Sequence, residues 1–509
     1  MSVVKRLLSG SIAGWASIAI LTVNQLALVP IFLKYWTVEE FAVWLAAQAV
    51  LSFGTVLSVG YNTYLEFEFI KYGEKNRIRI AEILYSAAPC VFVLAACETS
   101  VVFFAIKSGW ANSLFNSDGD LPAWLLRDAG YLILVQSLGY LISVCVLGLI
   151  QRAIVPFGYY SRNAWLYVCG SIVSTLGAVC SVVSGGGVLV TGIAQVAAYF
   201  LFSVAAAYYL INILKDELLL PRKFSLLYGF KSLLPASALA VKTLFGMLQQ
   251  QGVRLLLGGF LGMHELASFA SMRTINNVAM QAASTVVNPL APELMRYANS
   301  GDSEKMHSTF GLMWILVAIS LAFVLVPLQW IAPLVFKTWT LGRISYYPFV
   351  FCGLSVALLV FCVSQPALTI VKGTNSIKTQ LAATICGAFV LIVSIYCLSK
   401  SIGLLSAAVG LIASEVIALI FYMLSAKRWI ARHEMTWPQL LFIRVVVVCS
   451  ISSLGILLTA AFPEHALTIT AVIWLCELAM LPLVWRALPY VLKERFVSIQ
   501  KRVVSAGIE

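Results

Sequence analysis

The sequence predicts an all-α polytopic membrane protein of about fourteen transmembrane helices, arranged as two pseudo-symmetric six-helix lobes around a central cavity with two further helices at the C-terminal end. Three observations predict it. Of 509 residues, 61% are apolar and only 11% charged, whereas soluble proteins carry about 25% charged residues. Connections between apolar runs never exceed about twenty-five residues, which leaves no room for a soluble domain. The basic residues, finally, concentrate in alternate connections.

Uninterrupted apolar windows place helices at roughly 9–33, 41–64, 83–106, 129–151, 164–184, 187–213, 231–262, 265–290, 307–335, 345–371, 379–398, 402–426, 440–462 and 466–490. Lys5 and Arg6 precede the first window as in a signal peptide, but the apolar stretch runs on to Leu33 without a small-residue cleavage site, so it reads as a retained helix. The expected domains are 1–213 and 214–430 for the lobes, and 431–509 for the last two helices with a cytoplasmic tail.

A net charge of +12 raises the question of nucleic acid, and position decides against it. About 25 of the bases fall in the N-terminus and in 65–82, 152–163, 214–231, 296–306, 372–378, 427–444 and 486–509, all on one side if helices alternate. The positive-inside rule then puts both termini in the cytoplasm, and no nucleic-acid partner is expected. The 11 cysteines lie in apolar runs without metal-ligand spacing and read as small hydrophobes.

An internal repeat at an offset of about 225 residues underlies the two lobes. It sets Asn24-Gln25 on Gln249-Gln250, Glu40-Phe41-Ala42 on Glu265-Leu266-Ala267, Trp44 on Phe269 and Gln48 on Arg273. Parallel repeats of this kind usually hold a binding cavity between them.

Three bases, Lys242, Arg254 and Arg273, remain inside helices seven and eight, where each costs roughly 2.5–3.5 kcal/mol unless partnered or hydrated. Arg254 and Arg273 stand at similar distances from the turn near Gly262. Guanidinium groups bind phosphate oxygens in forked pairs, so a pyrophosphate would satisfy both; capping by carbonyls or amides within each half is the alternative.

Arg273, Asn277, Gln281, Ser284 and Asn288, with Asn276 beside them, give helix eight one polar face. Helix two carries a sparser stripe of Gln48, Ser52, Thr55, Ser58 and Asn62. Asn24, Gln25 and Gln249-Gln250-Gln251 add amides to helices one and seven. Such groups either line a hydrated cavity or join helices to one another. Lys242 and Glu415 share a depth near the midplane, as a structural pair or as a coupling site for H+ or Na+; Glu98, without a basic partner nearby, is a candidate proton carrier. Glu477 is assigned no role. Pro235, Pro366, Gly252, Gly258 and Gly259 mark where helices can bend.

No nucleophile elbow, zinc motif, Walker loop or nucleotide fingerprint is present, and the four histidines lie at membrane boundaries. An enzyme is not expected, nor a cofactor or a metal.

The stretch Gln249-Gln-Gln-Gly-Val-Arg254, Leu261-Gly-Met-His-Glu-Leu-Ala-Ser-Phe-Ala270, Arg273-Thr-Ile-Asn-Asn277 and Asn288-Pro-Leu-Ala-Pro-Glu293 resembles bacterial O-antigen and polysaccharide flippases (Wzx-like) of the multidrug/oligosaccharidyl-lipid/polysaccharide (MOP) exporter superfamily. Pro30-Ile-Phe-Leu33 and Trp36-Thr-Val-Glu-Glu-Phe41 before Trp44 are similar to that family's first hairpin. The likeness covers about residues 1–430. It implies a V-shaped, alternating-access transporter with a cationic cavity that moves an undecaprenyl-pyrophosphate-linked oligosaccharide to the periplasmic leaflet. Other polysaccharide-assembly membrane proteins are its expected partners. Arg254 and Arg273 fall where cavity bases are expected. Fourteen helices, rather than twelve, resemble the lipid II flippase branch, where the last two could supply a groove for the lipid tail. The competing readings are an ion-coupled small-molecule exporter of the same superfamily, which should carry unpaired acids, and a polymerase or glycosyltransferase, which should carry a large outer loop or an acid cluster.

Overall fold

The computed structural model describes residues 3–73, 76–110, 115, 121–219 and 225–490. Lys75, Arg222, Lys223 and the bases of 491–509, which count toward the topology expectation, lie outside the described residues, as does the expected tail. Every secondary-structure element among the described residues is helical.

The elements are α1 (Val3–Tyr35), α2 in two pieces (Val38–Phe53 and Val56–Tyr72), α3 (Arg77–Lys107), α4 (Ala123–Phe157), α5 (Tyr160–Val183), α6 (Val188–Asp216), α7 in pieces (Leu233–Met247, Leu248–Gly252, Val253–Leu261), α8 (Met263–Asn299), α9 (Ser303–Trp339), α10 (Pro348–Gly373), α11 (Ile377–Ile402), α12 (Leu405–Arg432), α13 (Gln439–Ala461) and α14 (Ala466–Ala487). Among the described residues eleven helices are long and apolar enough to cross a membrane, and the two pieces of α2, bent by 52°, make a twelfth. The two expected helices outside that set are α7 and α8. Both are helical where the sequence places them, but the first carries Lys242, three glutamines and Arg254, and the second the Arg273 face.

Local chemistry explains the boundaries. α2 starts in a capping box: Glu40 N–H donates to Thr37 Oγ1 at 3.2 Å and Thr37 N–H to Glu40 Oε2 at 2.8 Å. Asp302 caps α9 by accepting from Lys305 N–H at 3.1 Å. Between α7 and α8 the chain turns in a single residue, Gly262, at φ 94°, a left-handed conformation that a side chain would disfavour.

The chain packs as two compact units, Met1–Ser271 with Trp339–Ile344, and Met272–Thr338 with Ser345–Glu509. These are packing units; the lobes expected at 1–213 and 214–430 are a separate division based on the repeat. In the first unit α5 lies against α1 and α6, and the second piece of α2 packs along Leu233–Met247 of α7. A Cβ at Gly60 would stand 2.6 Å from the Ala240 Cα, so the two backbones meet with no side chain between them, as small residues permit in membranes. Tyr61 ties the second piece of α2 to the short helix Leu226–Lys231 that leads into α7: its hydroxyl is 2.9 Å from Gly229 O and 2.7 Å from Ser232 Oγ.

In the second unit α10 is the most enclosed span, packed by α12 and α13. Gln329 Nε2 donates to Ser355 Oγ at 3.0 Å, and Trp314 Nε1 to Val363 O at 3.0 Å. α13 and α14 form a hairpin, and Trp474 Nε1 ties α14 to Phe323 O of α9 at 2.9 Å. Pro366 lies inside an unbroken α10. The sharp break instead falls at Gly54–Thr55, where the sequence shows no proline.

Candidate functional site

The site begins at an irregularity. Leu248–Gly252 of α7 is a π-helical turn, a feature that often marks functional positions because it reorients the side chains that follow. The first piece of α2 packs against this turn and against Val253–Leu261. Three buried polar atoms on these pieces have no hydrogen-bond partner among the described residues: Gln48 Nε2, Gln251 Oε1 and Arg254 Nε. An amide nitrogen, an amide oxygen and a guanidinium N–H left unpaired on packed helices are each costly unless water or a polar ligand meets them. Gln250, expected at the site, is exposed, and Gln249 is half-buried. Gln251 belongs to the site and the sequence reading did not give it a role of its own.

Other members of the helix-two stripe bond to backbone carbonyls, although Asn62 Oδ1 is left buried without a partner among the described residues. Ser52 Oγ bonds Gln48 O at 2.9 Å, Thr55 Oγ1 bonds Ser52 O at 3.2 Å, and buried Asn62 donates through Nδ2 to Cys145 O at 3.3 Å. Asn24 likewise joins α1 to α5, with Nδ2 3.4 Å from Ser171 Oγ and 3.3 Å from Thr175 Oγ1. Gln25 and Lys242 are half-buried residues of the same unit.

Glu98 has an unforeseen role. Its Oε1 accepts Leu57 N–H at 2.6 Å and Ser58 N–H at 3.2 Å, while Ser58 Oγ lies 2.6 Å from Oε2. The carboxyl group of α3 therefore caps the second piece of α2 at its break, where backbone N–H groups lack helical partners. Tyr140 OH, at the start of a π-helical turn in α4, is 3.0 Å from Ser58 Oγ. With the single Ser58 proton directed at Glu98, Tyr140 is the donor to Ser58. A cavity of about 510 Å³ lined by Phe53, Gly54, Leu57, Glu98 and Trp110 opens on this carboxyl.

The remaining expected residues fall in the second unit. Arg273 lies within charge–charge range of Glu415. Asn276, Asn277 and Gln281 are half-buried on α8, and Ser284 Oγ turns back to Met280 O at 2.9 Å. Arg254 and Arg273 belong to different units. Glu477, given no role by the sequence, is fully buried and accepts from Ser452 Oγ at 2.5 Å, which makes it a fastener of the α13–α14 hairpin.

Among the described residues, an all-helical chain of eleven or twelve candidate spans defines a polytopic membrane protein. Solved structures identify its scaffold. The chain is similar to the lipid II flippase MurJ in an inward closed conformation, with TM-score 0.62 and 12% identity over 93% of this chain and 98% of that one. It is also similar to a multidrug resistance MATE family transporter of the MOP superfamily in its inward-facing conformation, with TM-score 0.61 and 14% identity over 83% of this chain and 99% of that one. The eukaryotic MATE transporter AtDTX14 aligns with TM-score 0.57 and 14% identity over 84% of this chain and 98% of that one. The chain thus shares the fold of the MATE transporters and of MurJ. No protein-family model and no curated protein sequence matches the chain.

Proposed function

We propose that this protein is a flippase for an undecaprenyl-pyrophosphate-linked oligosaccharide, an O-antigen or related repeat unit, working in the bacterial inner membrane by alternating access. The observation that carries the reading is the buried, unpartnered Nε of Arg254, with unpaired amide atoms of Gln48 and Gln251 on the helix pieces packed together there. A guanidinium suits a diphosphate and amides suit sugar hydroxyls. Arg273 is the second diphosphate ligand in this reading, with Asn276, Asn277 and Gln281 as sugar-facing groups. The wider match to MurJ, 93% of the chain against 83% for the MATE transporter, differs by about the length of one helical hairpin and favours the lipid-flippase side. Glu98 is the proposed coupling residue, for H+ or Na+, with Lys242 and Glu415 as the other charged groups at depth.

The test is charge reversal. Arg254→Glu and Arg273→Glu should abolish surface polysaccharide in cells while the protein stays at its normal level in the membrane; normal polysaccharide in both rules out the site. In vesicles, translocation of the lipid-linked sugar should depend on an ion gradient and lose that dependence in Glu98→Gln.

The MATE likeness supports a second reading, an exporter of small organic cations. Efflux of a cationic dye by the same vesicles, without movement of the lipid-linked sugar, would establish it. A polysaccharide polymerase would instead lengthen the sugar chain by itself.

A further inference from the structure

A second cavity lies in the second unit and shares no lining residue with the site described above. It has a volume of about 640 Å³ and sits between the first turns of α11 and the last turns of α12, with Thr374 at the end of α10 on its rim. Lys378, Arg428 and Arg432 line it. None of the three forms an ion pair among the described residues, and no carboxylate lines the cavity. Three hydroxyls run through it in a hydrogen-bonded row, Ser376 to Thr379 at 2.9 Å and Thr379 to Ser425 at 3.1 Å. Trp429 borders it, held by His433, whose ring lies 4.0 Å away and whose Nδ1 is 2.9 Å from Trp429 O.

The lining changes along the helices. Bases and hydroxyls occupy the helix ends, while Ala382 of α11 and Phe421 and Leu424 of α12 line the part further into the span. From Arg432 to Phe421 the α12 axis advances about 16 Å. A ligand matching this gradient carries anionic oxygens at one end and hydrocarbon at the other.

We propose that this groove binds the phosphate headgroup of a membrane lipid, with the lipid chain lying along Phe421 and Leu424. The positive-inside tendency accounts for bases at these helix ends, but not for three of them converging on a carboxylate-free cavity with a hydroxyl row and an apolar floor. Basic pockets between membrane helices are suited to lipid phosphates, and exposed Leu424 leaves the apolar side open to a chain. Two lipids share this chemistry: an anionic phospholipid of the bilayer, and a polyprenyl diphosphate.

Native mass spectrometry of the purified protein, released from detergent with phosphatidylglycerol, phosphatidylcholine or undecaprenyl pyrophosphate added, separates the outcomes. The wild type should retain phosphatidylglycerol or the diphosphate about tenfold better than phosphatidylcholine. Lys378→Ala/Arg428→Ala/Arg432→Ala should fall to the phosphatidylcholine level. Lys400→Ala, at the opposite end of α11, should behave as wild type, and equal melting temperatures of all three proteins would show that folding is preserved. If the triple variant melts early, Thr379→Val/Ser425→Ala takes its place and should weaken retention. Preference for one anionic lipid identifies the source. Equal retention by wild type and groove variants overturns the proposal, as does binding of inorganic pyrophosphate alone with no lipid retained. Loss of retention in the groove variants with normal surface polysaccharide would support the groove without touching the flippase reading, and failure of the flippase reading would leave the groove result intact.

Discussion

Ser58 Oγ stands 2.6 Å from Glu98 Oε2, and the neighbouring Oε1 accepts the Leu57 and Ser58 backbone N–H groups. One carboxyl group, forty residues away in sequence, thereby completes a helix terminus in the middle of a span. Glu98→Ala should strip the acceptor from two helix-terminal N–H groups, that of Ser58 buried, and cost about 2–4 kcal/mol. Glu98→Gln should cost about 1 kcal/mol, because its amide oxygen still accepts both N–H groups and Ser58 can turn to Thr55 O, 3.1 Å away. Thermal melting in detergent checks the order, and equal losses in the two variants would contradict the capping role.

This cap also shows where sequence reading stops. Apolar mass and the placement of bases were enough for the fold class and for the positions of the helices, since both are additive along the chain. The break at Gly54–Thr55 was not legible, because what makes it tolerable is an acceptor on α3. Pro366 misled in the opposite sense: α10 stays continuous through it. At the site, Arg254 was legible as a charge in an apolar run, but a 3.6-residue period cannot say which of three glutamines faces inward once a π turn shifts the register. Asn24 had the right chemistry for a cavity wall and bonds to a neighbouring helix instead, a distinction that depends on tertiary contacts.

Arg254 should be a residue kept at the expense of stability. Its Nε is buried without a partner among the described residues, and a cation at membrane depth costs roughly 2.5–3.5 kcal/mol on insertion scales. Arg254→Met preserves the stem and removes the charge, so it should melt several degrees higher than wild type while failing to support surface polysaccharide. A variant that is both less stable and inactive would mean that Arg254 holds the fold together.

The contact of α2 with α7 sets a steric prediction. A Cβ at Gly60 would approach Ala240 Cα, Cβ and N at 2.6, 2.8 and 2.9 Å, whereas one at Gly259 meets nothing within 4 Å. Gly60→Ala must move one backbone relative to the other and should cost about 1–3 kcal/mol. Gly259→Ala should be neutral or slightly stabilising, since alanine is the better helix former. Melting curves of the pair provide an internally controlled check, and equal behaviour would mean that the two helices are less closely packed.

Tyr159, in the short connection between α4 and α5, donates to Glu217 Oε1 at 2.8 Å, and Arg77 holds the same carboxylate through Oε2 at 3.1 Å. The hydrogen bond to Glu217, with burial adding to it, raises the Tyr159 pKa above its ordinary 10.0. A raised pKa means that the folded state favours the protonated phenol. The resulting stabilisation is fully present below pH 10.0 and is lost as pH rises through the folded-state pKa. Tyr159→Phe should therefore melt below wild type by an amount worth about 1 kcal/mol at neutral pH, given the partial exposure of the pair. Above about pH 10 the two melting temperatures should converge as the wild-type phenol ionises beside Glu217. Melting measured in detergent from neutral to strongly alkaline pH reads this directly, and a wild-type advantage that persists unchanged across the range would show that the bond to Glu217 contributes nothing to folding.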